Sequence, residues 1–258
     1  MIELVVVKKN ISVSIVVAAL NEERNLPILY VGLMKAMEKQ KYSRYEIIFI
    51  DDGSVDRTSL VLKKLSNSDQ HVKAIVFNKN YGKTRAIEAG VNLSVSDVIV
   101  TLDADLQHDP EEIHKLVDKI LEGYDVVTGQ RVNRDDALVR MVFSRIVNYM
   151  VYLFTGFEAK DFYSGFKAFR RGVVEELGLF SDLYRFIAYL AYQKGLKTVE
   201  VAIRYLPRKH GKSKYGFGLI KRTIHDLLII LFVIKHLEKG RYAIKETFGL
   251  SNNIYQKK

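Results

Sequence analysis

The 258-residue chain contains no cysteine. Disulfide bridges and thiolate metal sites are therefore excluded, and a reducing compartment is compatible with the composition. No apolar run approaches the roughly 20 residues that a helix needs to cross a bilayer. The apolar run over residues 2–7 is too short for a signal peptide and lacks a small-residue cleavage site. We expect a cytoplasmic protein that does not cross a membrane unaided.

Two common nucleotide-binding motifs are also missing. The sequence has no G-x-G-x-x-G and no G-x-x-x-x-G-K-S/T. The first motif opens a dinucleotide fold of the NAD type, and the second forms the P-loop that surrounds a nucleotide phosphate. The sequence therefore supports neither of these folds.

The balance of charge is strongly basic. The formal net charge is +10 and the isoelectric point is near 9.5. Such a charge favours polyanionic partners, whether nucleic acid, phosphorylated substrates or anionic lipid, and does not choose among them. Hydrophobic residues make up 48% of the chain, enough to bury the core of one α/β domain with an appendage.

Short apolar runs alternate with segments of helical periodicity through the first half of the chain. Strands are predicted over residues 12–18, 45–50, 72–77, 98–102 and 125–128. Helices are predicted over residues 22–40, 56–65, 84–93 and 110–122. This alternation is typical of a doubly wound parallel sheet with helices on its faces. No further alternation is predicted beyond Gly129.

Polar residues follow four of the predicted strands. In open α/β sheets, ligands bind beyond the carboxyl ends of the strands, so these residues are expected to share one edge. They are Asn21, Glu22, Asp51, Asp52, Asn80, Lys83, Asp103 and Asp105.

The stretch from Val98 to Glu111 is the centre of this arrangement. Side chains two residues apart on an extended chain point to the same side, so Asp103, Asp105 and the amide of Gln107 should converge. These oxygen ligands suit Mg²⁺ or Mn²⁺, which could hold a diphosphate. The alternative is that the acids only decorate the end of the strand, a common arrangement for so short a pattern. The cap of the next helix is assigned to Asp109, before Pro110.

Three basic segments lie in the second half of the chain. Arg131, Arg134, Arg140 and Arg145 lie around a predicted helix over 137–154 whose other residues are largely apolar, which favours an acidic substrate with an apolar body. The loop 204–215 has the glycine and donors of a loop that folds over phosphates, or it is a solvated surface loop. The predicted helix over 219–237, an apolar core with basic flanks, suits either a membrane interface or a protein core.

These segments together resemble family 2 glycosyltransferases of the GT-A fold, in particular the polyprenyl-phosphate hexosyltransferases of the dolichyl-phosphate mannose synthase type. The resemblance runs from about residue 12 to 235. Its motifs are 17–23 (VAALNEE), 51–58 (DDGSVDRT), 80–83 (NYGK), 102–108 (LDADLQH), 161–166 (DFYSGF) and 208–214 (RKHGKSK). The family usually has Pro at position 18 and Pro-Thr at 162–163, where this chain has Ala18 and Phe162-Tyr163.

The resemblance implies a role for each site residue. It makes Asp105, Arg131 and Arg140 catalytic, and it gives Asp103, Asp105 and Gln107 as the set that holds Mg²⁺ or Mn²⁺. Within that set it marks Asp103 as a donor-site acid and Asp105 with Gln107 as the metal ligands. Phosphate of the lipid acceptor would be bound by Arg131, Arg140 and Ser144. Donor contacts would be Ala18, Ala19, Leu20, Asn21, Glu22, Asp51, Asp52, Lys83, Asp103, Arg208 and Lys214.

The implied fold is a mostly parallel GT-A sheet flanked by helices, followed by a C-terminal amphipathic helix. Residues 1–215 would form the catalytic domain, with a donor half over about 12–129 and an acceptor half over about 130–215. Residues 216–258 would form the helix and tail, which could lie on the membrane surface. A membrane-anchoring partner and homo-oligomerisation both stay open, and nucleic acid is not expected as a partner.

The implied reaction moves a hexose, mannose or glucose, from GDP-mannose or UDP-glucose to dolichyl or polyprenyl phosphate, with inversion. The turn 52–58 lacks the Pro-Asp-Gly arrangement of many mannose synthases, which leans toward a UDP-sugar and leaves GDP-mannose open. One rival is a transferase of the same fold acting on a polysaccharide or protein hydroxyl, with Asp161 as the base that a hydroxyl requires. Others are a nucleotidyltransferase and a catalytically silent, membrane-bound module that only binds nucleotide or nucleic acid. The expected location is the cytoplasmic face of the membrane.

Overall fold

The computed structural model describes residues 9–40, 42–132, 148–149, 151–153, 155–161, 164–177 and 181–207. Several predictions concern residues outside these ranges. They include Arg140, Ser144, Arg208, Lys214, the motif positions 162–163, most of the helix over 137–154, and the C-terminal helix over 219–237.

The described residues contain a seven-stranded sheet with the order β3-β2-β1-β4-β6-β5-β7. Its strands are β1 (Lys9–Ala19), β2 (Tyr42–Asp51), β3 (Val72–Val76), β4 (Val98–Asp103), β5 (Val126–Val132), β6 (Lys167–Arg170) and β7 (Thr198–Arg204). Strands β1 to β4 pair in parallel, as do β5 and β7, whereas β6 runs antiparallel to both of its neighbours. The predicted mostly parallel sheet is confirmed, and β6 is its antiparallel strand.

Helices cover both faces of the sheet. They are α1 (Leu26–Gln40), α2 (Thr58–Ser68), α3 (Lys83–Leu93), α4 (Ile113–Leu121), α5 (Arg171–Leu177) and α6 (Ile187–Gln193), with 3₁₀ turns at Pro110–Glu112 and Ser181–Phe186. Alternate strand residues point to opposite faces, so Ile15 packs toward α1 and α4 whereas Val16 packs toward α3 and α6. The predicted layers of helix, sheet and helix are therefore confirmed.

Local hydrogen bonds mark the start of α1 and of the 3₁₀ turn before α4. Helix α1 begins at Leu26 rather than at residue 22, because Glu22 forms the preceding turn and its carbonyl accepts the N–H of Asn25 at 3.0 Å. Asp109 caps the 3₁₀ turn that begins at Pro110, since its carboxylate accepts the N–H of Glu111 at 3.0 Å. The capping role predicted for Asp109 is confirmed.

Beyond Gly129, the sheet gains two strands that the sequence analysis did not predict. Strand β6 has only four residues and begins at a lysine, Lys167, which nonetheless is 2% exposed. Strand β7 carries an alternating pattern in which Val199, Val201 and Ile203 pack on the core, a signal that the sequence does contain. Arg131 belongs to β5 and not to the helix over 137–154. Among the described residues, no helix has the length and hydrophobicity to span a bilayer.

Candidate active site

The loops that follow β1 and β2 are joined by hydrogen bonds at the carboxyl edge of the sheet. The backbone N–H of Asn21 donates to Ser54 Oγ at 2.8 Å, and the side chain of Asn21 accepts the N–H of Val55 at 2.9 Å. The N–H of Glu22 donates to Thr58 Oγ1 at 2.8 Å. Asn21 has φ of +55°, a conformation that asparagine adopts more readily than most residues. The two loops therefore form one continuous rim.

The last residues of β1 lie between two acids. Ala18 pairs in register with Asp103 of β4, and Ala19 pairs with Asp51 of β2. Ala19 is buried, whereas Ala18 and Leu20 are partly exposed at the rim. The small side chains at 18 and 19 leave space above the sheet between the two carboxylates.

Asp51 and Asp52 are adjacent but have different surroundings. The Asp52 carboxylate accepts the backbone N–H groups of Tyr81 and Gly82 at 2.8–3.1 Å, which fixes the loop before α3. Asp51 is fully buried, and its Oδ1 accepts the N–H of Ser54 at 2.9 Å. Asp51 Oδ2 is buried with no hydrogen-bond partner among the described residues. A buried carboxylate oxygen in this state favours a ligand that donates an N–H.

Lys83, the first residue of α3, forms an ion pair with Asp103 at the end of β4. Partial burial on its own would raise the pKa of Asp103, but the charge and hydrogen bond of Lys83, with further charge from Arg131, lower that pKa to about 2. Asp103 is thus ionised at neutral pH and committed to a lysine. It is a weaker candidate for a metal ligand than Asp105.

The chain after β4 alternates in exposure through a turn. Asp103, Asp105 and Gln107 are partly exposed and alternate with the buried residues Ala104 and Leu106. Strand β4 ends at Asp103, so Asp105 and Gln107 do not lie on the extended segment from which their convergence was predicted. Leu106 has φ of +63°, which costs a leucine roughly 1–2 kcal/mol. Asp105 Oδ1 accepts the N–H of Gln107 at 3.2 Å across this turn.

The donor set suits a divalent ion that is shared with a substrate. In the described part of the chain, no group of three or more Asp, Glu or His side chains is arranged to hold a metal. Asp105 and Gln107 can together offer carboxylate and amide oxygens, the ligands that Mg²⁺ and Mn²⁺ prefer. Mg²⁺ commonly binds through one or two carboxylates plus the phosphate oxygens of its substrate. The residues present therefore fit a metal that binds with a diphosphate.

A second ion pair lies at the end of β5. Arg131 Nε and Nη2 each donate to the carboxylate of Asp161 at 2.7 Å, and the backbone N–H of Arg131 donates to it at 3.0 Å. The Arg131 guanidinium also lies 5.3 Å from the ring centre of Tyr205. Burial would lower the pKa of Arg131, but Asp161 outweighs it and raises that pKa. Because Asp161 is 3% exposed and bound to arginine, it is poorly suited to act as a general base.

Gly165 lies against the first of the two ion pairs. A Cβ atom at this position would lie 2.8 Å from Lys83 Nζ and 3.2 Å from Asp103 Oδ2. The carbonyl of Gly165 accepts a hydrogen bond from Thr101 Oγ1 at 3.0 Å, which holds this residue against β4. A side chain at position 165 would therefore require the end of Lys83 to move away from Asp103.

Gly165→Ala is expected to lower kcat/KM for the donor about tenfold, because the new methyl group displaces Lys83 and breaks a charge-assisted hydrogen bond. The lysine end is flexible, so the melting temperature should change little. Gly172→Ala is the matched control, since a Cβ there meets nothing within 4 Å. Steady-state kinetics with varied donor check the prediction, and unchanged donor kinetics in Gly165→Ala would contradict it.

The predicted basic loop begins next to the metal-ligand candidates. The N–H of Leu206 donates to the carbonyl of Gln107 at 2.9 Å, and Tyr205 forms a β-bridge with His108. The described structure ends at Pro207, one residue before Arg208. The chain that leads to Arg208 and Lys214 is therefore anchored to the segment that carries Asp105 and Gln107.

Sequence reasoning missed two buried residues at the centre of the site. His108 is 2% exposed, lies against the rings of Phe166 and Tyr205, and has no hydrogen-bond partner for either ring nitrogen among the described residues. Burial lowers its pKa to about 4. Lys167 is equally buried, donates to the carbonyl of Ser164, and burial lowers its pKa to about 7. The only sequence signal for these two residues was their position, since His108 ends the motif 102–108 and Lys167 follows the motif 161–166.

The chain belongs to glycosyltransferase family 2, since residues 14–178 match the family described as glycosyl transferase family 2. Among curated proteins it is 40% identical over 220 residues to the undecaprenyl-phosphate 4-deoxy-4-formamido-L-arabinose transferase of Photorhabdus laumondii. The match covers 85% of this chain and 67% of the relative. The enzyme of the same name from Proteus mirabilis is 39% identical over 220 residues, with the same shares covered. The recognised family and the glycosyltransferase class are confirmed.

Solved structures of similar fold carry nucleotide sugars and Mn²⁺. The mannosyltransferase PcManGT from Pyrobaculum calidifontis, in complex with GDP-Man and Mn²⁺, superposes with a TM-score of 0.62 and 16% identity over 91% of this chain and 66% of that chain. Glucosyl-3-phosphoglycerate synthase from Mycobacterium tuberculosis, with Mn²⁺, UDP-glucose and phosphoglyceric acid, has a TM-score of 0.67 and 16% identity over 86% and 79%. This chain thus covers slightly less than two thirds of PcManGT. At such low identity, these likenesses support the fold alone.

Proposed function

We propose that this glycosyltransferase moves a sugar from a nucleoside diphosphate to a polyprenyl phosphate, with inversion at the sugar carbon. The observation that carries the proposal is the presence of two ion pairs at the ends of neighbouring parts of the sheet, Lys83 with Asp103 after β4 and Arg131 with Asp161 at the end of β5. The first lies at the same edge of the sheet as Asp51 and Asp105, where a nucleoside diphosphate would bind. The second offers a guanidinium for a second phosphate.

Each part of the donor has a counterpart at the edge of the sheet. Asp51 Oδ2 would accept an N–H of the base, and Ala18 to Glu22 would line the base and ribose. Asp105 and Gln107 would hold Mg²⁺ or Mn²⁺, which stabilises the departing diphosphate as a Lewis acid when bound. The basic loop with Arg208 and Lys214 would close over that diphosphate, because it leaves the described chain beside Gln107.

The acceptor needs orientation rather than a base. A phosphate monoester has a second pKa of about 6 and is largely dianionic at neutral pH, so it can attack without losing a proton. Its charge is repelled by the donor diphosphate, and Arg131, with Arg140 and Ser144 by resemblance, would offset that repulsion. A hydroxyl acceptor would require a base, and the commitment of Asp161 to Arg131 disfavours that alternative.

The resemblance and the similar curated enzymes point to different sugars. The resemblance favours a hexose, mannose or glucose, whereas the similar curated enzymes are named for 4-deoxy-4-formamido-L-arabinose and undecaprenyl phosphate. Those names support undecaprenyl phosphate as the acceptor to test before dolichyl phosphate. The donor panel must therefore include nucleotide-linked forms of hexoses and of the arabinose derivative.

A lipid acceptor implies that the enzyme works at a membrane surface. Tyr149, Tyr152 and Leu153 lie on a short helical segment, and each is more than half exposed at 63%, 51% and 60%. Aromatic side chains are enriched at membrane interfaces, and a net charge of +10 favours anionic lipid. We propose peripheral attachment to the cytoplasmic face. A membrane-anchoring partner and self-association stay predictions.

Transfer of radiolabel into an organic-extractable product tests the function. The enzyme is incubated with undecaprenyl phosphate and one of several labelled UDP- or GDP-linked hexoses or nucleotide-linked 4-deoxy-4-formamido-L-arabinose, with and without EDTA. We expect label in the organic phase from one donor and only when the metal is present. Hydrolysis or binding of a donor without labelling of any polyprenyl phosphate would refute the acceptor half and retain the donor half.

A further inference from the structure

Glu200, on the edge strand β7, holds the loop that carries Asp161. Its Oε2 accepts the backbone N–H of Lys160 at 2.7 Å, and its Oε1 accepts the backbone N–H of Asp161 at 2.9 Å. On the other side, the amide of Asn148 donates to the carbonyl of Lys160 at 2.6 Å. The loop is therefore fixed from two directions immediately before the residue that binds Arg131.

Asp161 connects Glu200 to Arg131, because it is hydrogen-bonded to both residues. Strands β5 and β7 pair in parallel, with Glu200 opposite Thr128 and Ile203 opposite Arg131. Glu200 and Ile203 are three residues apart on β7, as are Thr128 and Arg131 on β5. Asp161 bridges Glu200 and Arg131 over this distance, since its N–H donates to Glu200 and its carboxylate accepts three N–H groups of Arg131. Rotation of the guanidinium then requires Asp161 to move, and Asp161 is fixed by the carboxylate of Glu200.

Both carboxylate oxygens of Glu200 accept a backbone N–H, and the charges around this side chain act on its pKa in opposite directions. Burial and the neighbouring Asp161 raise the pKa of Glu200, and the two backbone N–H groups and Lys167 lower it in part. Lys167 interacts electrostatically with both Asp161 and Glu200, which oppose the lowering of its pKa by burial. The two acids are therefore held near one buried lysine, and the hydrogen bonds of Glu200 fix the position of Asp161 among them.

We propose that Glu200 is a positioning residue for the acceptor phosphate, which acts by holding Asp161 so that the Arg131 guanidinium faces the phosphate of the lipid. The inference rests on the proposed function and extends it to a residue that does not itself touch the substrate. It predicts that a change at Glu200 affects use of the acceptor and leaves use of the donor intact.

Glu200→Gln tests the inference with little change of shape. The amide keeps one oxygen and replaces the other with an NH₂ group, which opposes one of the two backbone N–H donors. We expect KM for undecaprenyl phosphate to rise about tenfold, the effect of one lost charge-assisted hydrogen bond, with kcat and the donor KM nearly unchanged. Glu158→Gln is the matched control, because Glu158 is an exposed acid on the same loop. In an Arg131→Ala background, Glu200→Gln should raise KM no further.

A second measurement does not depend on activity. The Nε–H of Arg131 is identified in a ¹H–¹⁵N spectrum by its loss in Arg131→Lys, and its hydrogen exchange is compared among variants. Exchange should be slow in wild type and in Glu158→Gln, and at least about tenfold faster in Glu200→Gln.

Wild-type enzyme that labels no polyprenyl phosphate overturns the acceptor role of both residues. An active wild type with unchanged KM and unchanged exchange in Glu200→Gln, or additive effects with Arg131→Ala, overturns the role of Glu200 alone.

Discussion

Asp105→Ala is expected to abolish metal-dependent turnover, with kcat lowered by about 10³-fold or more, because a divalent ion supplies several kcal/mol of stabilisation to a departing diphosphate. Asp105 is partly exposed beyond the end of β4 and contributes to no core cluster. The protein should therefore stay folded, with a circular dichroism spectrum and a melting temperature close to those of wild type.

The measurement is turnover as a function of Mn²⁺ or Mg²⁺ concentration. Wild-type activity should be lost in EDTA and recovered when the metal is restored, whereas Asp105→Ala should not recover. Glu122→Gln is a suitable control, since Glu122 is an exposed acid that pairs with Lys119 on the surface. Full, metal-dependent activity in Asp105→Ala would show that other residues bind the metal, and the assignment of Asp105 would be wrong.

Arg131→Ala is expected to raise KM for the polyprenyl phosphate roughly 100-fold and leave KM for the donor nearly unchanged, because a charge-assisted contact to phosphate is lost. The resemblance predicts that Arg140→Ala likewise raises KM for the polyprenyl phosphate and leaves KM for the donor nearly unchanged. Arg85→Ala, which removes an exposed arginine paired with Glu88, is the control. Similar rises in both KM values for Arg131→Ala would contradict the assignment of this residue to the acceptor.

The same substitution should destabilise the fold, because the buried carboxylate of Asp161 loses the two hydrogen bonds and the charge of the Arg131 guanidinium. Breaking a buried ion pair on one side costs about 3–5 kcal/mol. Asp161→Asn in the Arg131→Ala background removes the unpaired charge, so we expect the double variant to recover melting temperature without recovering KM for the lipid. Chemical denaturation and acceptor kinetics on the two variants separate stability from binding.

Local patterns were sufficient to place the polar residues at the edge of the sheet. The strands β1 to β4 are rich in apolar residues and are followed by acids or amides, so their parallel pairing brings those polar residues to one edge. Asp103, Asp105 and Gln107 alternate with buried residues in the sequence order expected, although the chain after Asp103 forms a turn. Asp109 and Pro110 mark the next turn by capping chemistry alone. Each of these features depends on residues that are close in the sequence.

The acceptor side depends on contacts between distant segments. A hydrophobic pattern with a period of two residues does not predict a strand that begins with Lys167, since lysine is usually exposed. Nor does it predict that this strand lies antiparallel between β4 and β5. The sequence likewise places Asp161 among candidate bases, and only the fold shows its carboxylate held by Arg131. The predicted division into donor and acceptor halves stays a prediction.

The sequence by itself determined the family, the layered α/β fold and the set of polar residues at the ends of β1 to β4, because these follow from local periodicity and short motifs. The tertiary structure alone decided which acids are committed: Asp52 to the backbone before α3, Asp103 to Lys83, and Asp161 to Arg131. The physical reason is that a charged group removed from water depends on protein partners to replace its hydration, and for these three acids the partners lie 20 to 30 residues away in the sequence.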